Sequence, residues 1–212
     1  MKLIIFGPQG SGKGTQAEKI IKKHSITHIS TGDIFRDNIK RKTKLGKKVE
    51  KMLKKGNMVP DDITNKIMKE RLAKKDCEKG FILDGYPRTK EQAEFLDKLV
   101  KIDIAINLEI SKEMVIKRIS SRRICQKCGK NFNVLYKKSK KAGICDFCND
   151  KLITRADDKK ISIEKRLANY ERETKPLIKF YEKKGILIKI DGEQNIDKVT
   201  SNIINSISFL QQ

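Results

Sequence analysis

The chain has 212 residues, enough for one or two domains with a real core, and at 37% hydrophobic and 36% charged it is globular rather than disordered. Its apolar runs are too short to cross a membrane, and the first, Leu3-Ile4-Ile5-Phe6, is too short for a secretory leader, so the expected compartment is the cytoplasm. The net charge of +22 admits nucleic acid, an anionic membrane or a polyanionic substrate without choosing among them, because lysine supplies 39 of the 49 basic residues and is spread along nearly every helical segment, as solvated faces are.

The first strand, Leu3 to Phe6, runs directly into Gly7-Pro-Gln-Gly-Ser-Gly-Lys-Gly-Thr15, and a helical pattern follows over 14–23. A buried strand, a glycine-rich loop and a helix start together make a phosphate cradle: backbone N–H groups turn inward, the helix dipole adds partial positive charge, and Lys13 supplies a full one. The hydroxyl that usually follows the lysine is displaced one place, with Gly14 intervening before Thr15.

A short strand at His28 to Ser30 then leads into Thr31-Gly-Asp-Ile-Phe-Arg36 and a helix over 33–40. On helix-start rules alone this segment is either an N-cap, with Thr31 or Asp33 capping, or part of a site. The stretch from Thr31 to Pro60 adds a second short amphipathic helix over 46–54 and looks like a small lobe. A helix over 61–74 precedes a strand over 80–84 that ends in Asp84-Gly85-Tyr86-Pro87-Arg88, placing a carboxylate able to hold Mg²⁺ through water beside a guanidinium facing a transferring group.

Further on, a helix over 90–100, a strand over 104–108 and a helix over 112–121 lead into a polar insert, Arg122 to Asp158. It carries Cys125-x-x-Cys128 and Cys145-x-x-Cys148 with sixteen residues between the pairs, the spacing of a closed, structural Cys₄ zinc site, against which disulfides or a redox pair are the weaker readings. Cys77 reads as a packing residue, and His24 and His28 as structural. A single long helix over 161–183, a strand over 186–190 and a helix over 196–207 complete the chain. Strands alternating with helices predict an α/β fold, a parallel sheet covered on both faces with ligands beyond the carboxyl ends of its strands. Arginine numbers only ten, and Arg36, Arg88, Arg118, Arg122, Arg123, Arg155 and Arg166 fall near these motifs, where a planar fork can grip phosphate.

These motifs, from Gly7–Thr15 and Ser30–Arg36 through Phe81–Arg88 with Gln92, Arg122-Arg123, and Arg155-Ala-Asp157-Asp158 with Arg166, resemble those of the adenylate kinases of the long, zinc-lid type over almost the entire chain. The resemblance implies a P-loop core of residues 1–29, 60–121 and 160–212, an AMP-binding lobe of residues 30–59 and a zinc-bearing lid of residues 122–159. It implies direct in-line transfer, ATP + AMP = 2 ADP, without a covalent intermediate. ATP would meet Gly10, Ser11, Gly12, Lys13, Gly14, Thr15, Arg122, Asn131, Phe132 and Gln194. AMP would meet Thr31, Arg36, Asn57, Met58, Val59, Gly85, Arg88, Gln92, Arg155 and Arg166. Lys13, Arg88, Arg118, Arg122, Arg155 and Arg166 would carry catalysis by positioning and charge neutralisation, with Asp84 on Mg²⁺ and Zn²⁺ on Cys125, Cys128, Cys145 and Cys148.

Three departures from the family pattern stand out: Gln9 stands where many relatives have proline, Ser121 replaces a glycine before the double arginine, and Lys160-Ile161 occupies a stretch that is usually acidic. The expected partners are ATP, AMP and ADP, with no nucleic acid or membrane, for a monomer. A kinase for another nucleoside monophosphate would share the cradle and the arginines. An ATP-dependent zinc-ribbon protein on nucleic acid would explain the charge and the cysteines, but not Arg88, Arg118, Arg155 and Arg166 together.

Overall fold

The computed structural model describes residues 1–155, 158 and 160–210. Asp157 and the side chain of Lys160, both singled out in the sequence, lie outside the described residues.

Five strands, β1 (Lys2–Phe6), β2 (Thr27–Ser30), β3 (Phe81–Asp84), β4 (Ile104–Glu109) and β8 (Leu187–Asp191), form a parallel sheet in the order β2-β3-β1-β4-β8. Their near-continuous apolar runs follow from burial on both faces. Along β1, Leu3 and Ile5 join the core under α1 (Lys13–His24) and α9 (Ile196–Leu210), through Ala17, Ile20, Val199, Ile203 and Ile207. The alternate residues Ile4 and Phe6 point to the opposite core, under α4 (Asp61–Leu72), α5 (Lys90–Leu99) and α8 (Pro176–Lys183), through Met68, Ala93, Leu96, Leu177 and Tyr181. Each such aliphatic side chain, fully buried, contributes about 1.5–3 kcal/mol, so the two layers lock the strand ends that carry the site. From β1 the chain runs out to the edge strand β2, comes back to β3 beside β1 and then crosses to β4 on its other side, so the strand order reverses at the carboxyl end of β1, where ligands of such sheets bind.

Two smaller units are set into this frame. Helices α2 (Thr31–Lys40) and α3 (Lys44–Lys54) pack around Phe35, Val49 and Val59. They cross so closely that a Cβ on Gly46 would lie 2.1 Å from the Asn38 carbonyl oxygen. After α6 (Lys112–Ser120) comes a three-stranded antiparallel sheet, β5 (Arg122–Cys125), β6 (Asn131–Asn133) and β7 (Leu152–Ile153), ordered β6-β5-β7 around Phe132, Cys125, Cys145 and Leu152. Its strands are too short and too polar to be read from period-2 patterning.

The strands and most helices fall within a few residues of their expected places, and two expectations need correction. Ser30, rather than Thr31 or Asp33, caps α2, its hydroxyl accepting from the Asp33 N–H at 3.3 Å. The single helix expected over 161–183 is α7 (Lys160–Asn169), a π-helical turn (Tyr170–Thr174) and α8. Pro176 has no N–H to donate, and the Lys175 N–H instead reaches back to the Tyr170 carbonyl at 2.8 Å.

Candidate active site

The loop between β1 and α1 owes its shape to glycine. Gly7 has φ 141°, and a Cβ there would sit 2.6 Å from the Ser11 hydroxyl and 2.8 Å from the Leu108 carbonyl oxygen. The Lys13 ammonium lies back across this loop, donating to the carbonyls of Gly7 at 2.7 Å and Pro8 at 2.8 Å. Burial draws its pKa down to about 8; Asp84 opposes that shift, while Arg88, Arg166 and Arg122 add to it. Four cations from four separate segments thus act on one spot, an arrangement that polyanionic phosphate would relieve.

Asp84 closes β3 directly beside the first turn of α1, its Oδ2 3.7 Å from where a Cβ on Gly14 would be. Burial works against its charge, but His28, Lys13 and Arg88 outweigh burial and hold the carboxyl below its usual range. The His28 Nε2 stands 3.6 Å from Asp84 Oδ2; burial disfavours its cation, yet Asp84, Asp33 and Glu18 raise its pKa above the ordinary value. His28 therefore belongs to the site, which the sequence reading, lacking any companion residue for it, did not anticipate. His24 lies outside the cleft, and its buried Nε2, like that of His28, has no hydrogen-bond partner among the described residues.

At the end of β3 the Gly85 carbonyl accepts from the Thr31 hydroxyl and from Arg88 Nε, each at 2.8 Å. Arg36 pairs with Asp33 at 2.6 Å. Burial opposes ionisation of Asp33, but Arg36 and, from beyond β7, Arg155 keep its carboxyl below the usual range. Arg155 donates to Asn131 at 2.6 Å. Arg122 grips Asp158 through Nε at 2.8 Å and through Nη2, and Arg166 reaches the same carboxylate at 3.6 Å. Arg118 lies apart, its guanidinium 5.4 Å from the Tyr136 ring centroid and donating to the Ser11 and Glu193 carbonyls at 3.3 and 3.4 Å.

One cleft of about 1260 Å³ is lined by Lys13, His28, Thr31, Asp33, Arg36, Asp84, Gly85, Arg88, Arg118, Arg122, Arg155 and Arg166 together with Gly10, Ser11, Gly12, Gly14, Thr15, Asn57, Met58, Val59, Gln92, Asn131, Phe132 and Gln194. That exceeds the usual range for a single small-ligand pocket. The side chain of Phe132 is buried in the small antiparallel unit, so its backbone is what it offers the cleft. The walls meet across the cleft: Lys40 donates to the Lys127 carbonyl at 3.1 Å, and Lys130 and Lys137 pair with Glu18 at 3.6 and 3.4 Å.

Two of the departures from the family pattern, Gln9 and Ser121, have local accounts. Gln9 donates to the Ile163 carbonyl in α7 at 3.0 Å, tying the glycine-rich loop to that helix. Ser121 ends α6 at φ −88°, a right-handed conformation that needs no glycine, and its hydroxyl donates to the Lys117 carbonyl at 2.7 Å.

The sulfur atoms of Cys125, Cys128, Cys145 and Cys148 all lie within 4.8 Å of one another. The pairs Cys125–Cys148 and Cys128–Cys145 stand 3.3 and 3.6 Å apart, too far for disulfides and near the spacing of about 3.8 Å that four sulfurs 2.3 Å from a tetrahedral ion adopt. Backbone N–H groups of Cys128 and Phe147 point at the Cys125 and Cys145 sulfurs, each at 3.4 Å, as thiolate-stabilising turns do. Cys77 lies elsewhere, buried beside Arg71.

A glycine-rich phosphate loop at the switch point of a parallel sheet, faced by guanidiniums from separate elements, defines a P-loop phosphotransferase. The adenylate kinase family model matches residues 5–186, and the chain belongs to that family. An adenylate kinase of Acetivibrio thermocellus is 46% identical to it over 98% of each chain. One from Caldicellulosiruptor bescii is 47% identical over 99% of this chain and all of its own length. A third, from Caldanaerobacter subterraneus subsp. tengcongensis, is 49% identical over 96% of this chain and 94% of the relative. The chain is accordingly an enzyme that transfers phosphoryl groups. None of its described helices is long and apolar enough to cross a membrane.

Proposed function

We propose that the chain transfers the terminal phosphoryl group of ATP directly to AMP, reversibly giving two ADP. The observation that carries this reading is that Lys13, Arg88, Arg122 and Arg166, from four separate segments, line one cleft. Two nucleotides meeting head to head bring their negative charge to such a point, and in-line transfer needs chiefly positioning and neutralisation there. The loop 10–15, Arg122, Asn131, Phe132 and Gln194 would hold ATP. Thr31, Arg36, the backbone of 57–59, Gly85, Arg88, Gln92, Arg155 and Arg166 would hold AMP.

The placement of Arg118 over Tyr136 and against the Glu193 carbonyl favours the base end of ATP over the transferring phosphoryl group. Asp84, kept ionised beside the first turn of α1, together with Thr15 fits a site for Mg²⁺ held through water. Bound there, Mg²⁺ supplies charge neutralisation on the outer phosphates of ATP. The sulfur cluster fits Zn²⁺ in a closed structural site.

Residues 30–59, 122–159 and the remainder would serve as AMP lobe, lid and core. The separate apolar clusters of the first two support their closing as units. Cysteines that form no disulfide suit a reducing cytoplasm. A coupled assay of MgATP with AMP, UMP, CMP and GMP tests the substrate. Turnover of another monophosphate much faster than AMP would overturn the assignment.

A further inference from the structure

Gln92 is 1% exposed and lines the cleft, and both polar atoms of its side chain are engaged from within the protein. Its Oε1 accepts from the Arg88 backbone N–H at 2.8 Å, and its Nε2 donates to Asp61 Oδ1 at 2.6 Å. The second Asp61 oxygen accepts from the Thr89 hydroxyl at 2.6 Å, whose own oxygen accepts from the Gln92 N–H at 3.2 Å. Asp61 itself opens α4 and is not among the residues that line the cleft.

A backbone N–H can only donate and a carboxylate can only accept, so these two partners fix which end of the Gln92 amide is oxygen and which is nitrogen. Turning the amide over would set oxygen against carboxylate and NH₂ against N–H. In the fixed sense, Oε1 keeps one lone pair and Nε2 keeps one N–H. Adenine presents a 6-amino donor next to the N1 acceptor, which this order matches. A 6-oxopurine presents the reverse, an O6 acceptor next to an N1–H donor. A freely turning amide adapts to either base; a pinned one leaves buried groups unmatched against the oxopurine.

We propose that Asp61 is a positioning residue that pins the sense of the Gln92 amide and thereby sets selectivity for a 6-aminopurine over a 6-oxopurine monophosphate. This rests on the reading that Gln92 meets the base of AMP. Asp61 touches no nucleotide; it acts through Gln92, and Thr89 holds its carboxylate in place.

The test is steady-state kinetics of the full chain at saturating MgATP with AMP or IMP varied, alongside thermal melting. Asp61→Asn, nearly isosteric, can turn either an oxygen or an NH₂ to Gln92 and so releases the pin. The expected result is a KM for AMP raised about five- to tenfold, a kcat for AMP and a KM for ATP within twofold of wild type, and a preference for AMP over IMP reduced about tenfold. Asp61→Ser keeps a residue suited to a helix start and gives the same readout should the asparagine variant fold poorly. An unchanged AMP-to-IMP preference in a folded variant, whatever its melting temperature, reduces Asp61 to a brace between α4 and α5 and overturns the proposal. Gln92→Ala separates the two levels: if it leaves the KM for AMP unaltered, the underlying reading of Gln92 fails. If it raises that KM while Asp61→Asn leaves selectivity intact, only the inference about Asp61 fails.

Discussion

The carboxylate of Asp158 accepts from Arg122 Nε at 2.8 Å with its own side chain fully buried and that of Arg122 16% exposed. Arg166 stands 3.6 Å from the same carboxylate, so a single buried anion holds two of the cations that act on Lys13. Without it the two guanidiniums would repel each other and lose their common anchor. Asp158→Ala is therefore expected to lower turnover sharply and, because the part-buried Arg122 loses the carboxylate it grips through two nitrogens, to cost about 3 kcal/mol of stability. Denaturant unfolding and initial-rate measurements check both. A variant that loses stability but keeps kcat within twofold would confine Asp158 to a structural role.

Arg88 spends its Nε on the Gly85 carbonyl, and its backbone is held at both ends, the N–H by Gln92 and the carbonyl by the Thr174 hydroxyl at 3.0 Å. That anchoring aims the outer face of the guanidinium. Arg88→Lys keeps the charge but has no second nitrogen to anchor with, so kcat should fall about a hundredfold while nucleotide affinity changes much less. Near-normal kcat in the lysine variant would mark Arg88 as an ion-pair residue outside the chemistry.

Much of this site was legible because its signals are local. The Gly7–Thr15 loop lies between a continuous apolar run and a helix start, and the two cysteine pairs are self-announcing. What stayed hidden depends on residues distant in sequence. Asp158 was visible in a motif, but its two cationic partners are 36 and 8 residues away. His28 had no sequence neighbour to explain it, because Asp84 comes beside it only through the β2–β3 register that sets Ser30 opposite Asp84. The π-helical turn before Pro176 was foreshadowed by the proline, yet the strong apolar period on either side masked it.

The depressed pKa of Lys13, about 8, implies coupling between nucleotide binding and protons. Phosphate oxygens beside the ammonium favour its charged form and raise that pKa. Between pH 8 and the raised value the complex holds more protons than the free protein, so ATP binding takes up protons and weakens as pH climbs through that window. For folding the sign is opposite: the unfolded chain, with its ordinary lysine near 10.5, binds more protons than the native state, so this group disfavours the native state below pH 8 and that penalty fades as pH rises toward 10.5. Calorimetry of ATP binding at pH 8.5 in buffers of different ionisation heats reads the uptake directly. Uptake that survives unchanged in Lys13→Met would assign the proton to another group.

Among the described residues, the apolar cluster of the unit formed by β5, β6 and β7 is Cys125, Phe132 and Cys145, with Cys148 and Leu152 packed against them. Three of those five residues are proposed metal ligands, so the cluster has almost no hydrocarbon core of its own, and metal binding must supply most of its folding energy. The same unit carries Lys130 and Lys137 to Glu18, and Arg122 on β5 to the phosphate cluster, which makes its rigidity a condition for closing the cleft. Four thiolates complete a tetrahedral sphere and leave no open position for substrate, so the ion should stabilise without entering the chemical step. Replacing Cys145 and Cys148 together by serine should release about one equivalent of zinc and lower Tm, while part of kcat persists at low temperature. Two measurements decide it: metal content of protein purified without chelators, and turnover of the double variant well below its melting point. Protein free of zinc, or a variant of unchanged Tm that no longer turns over, would refute a structural metal here.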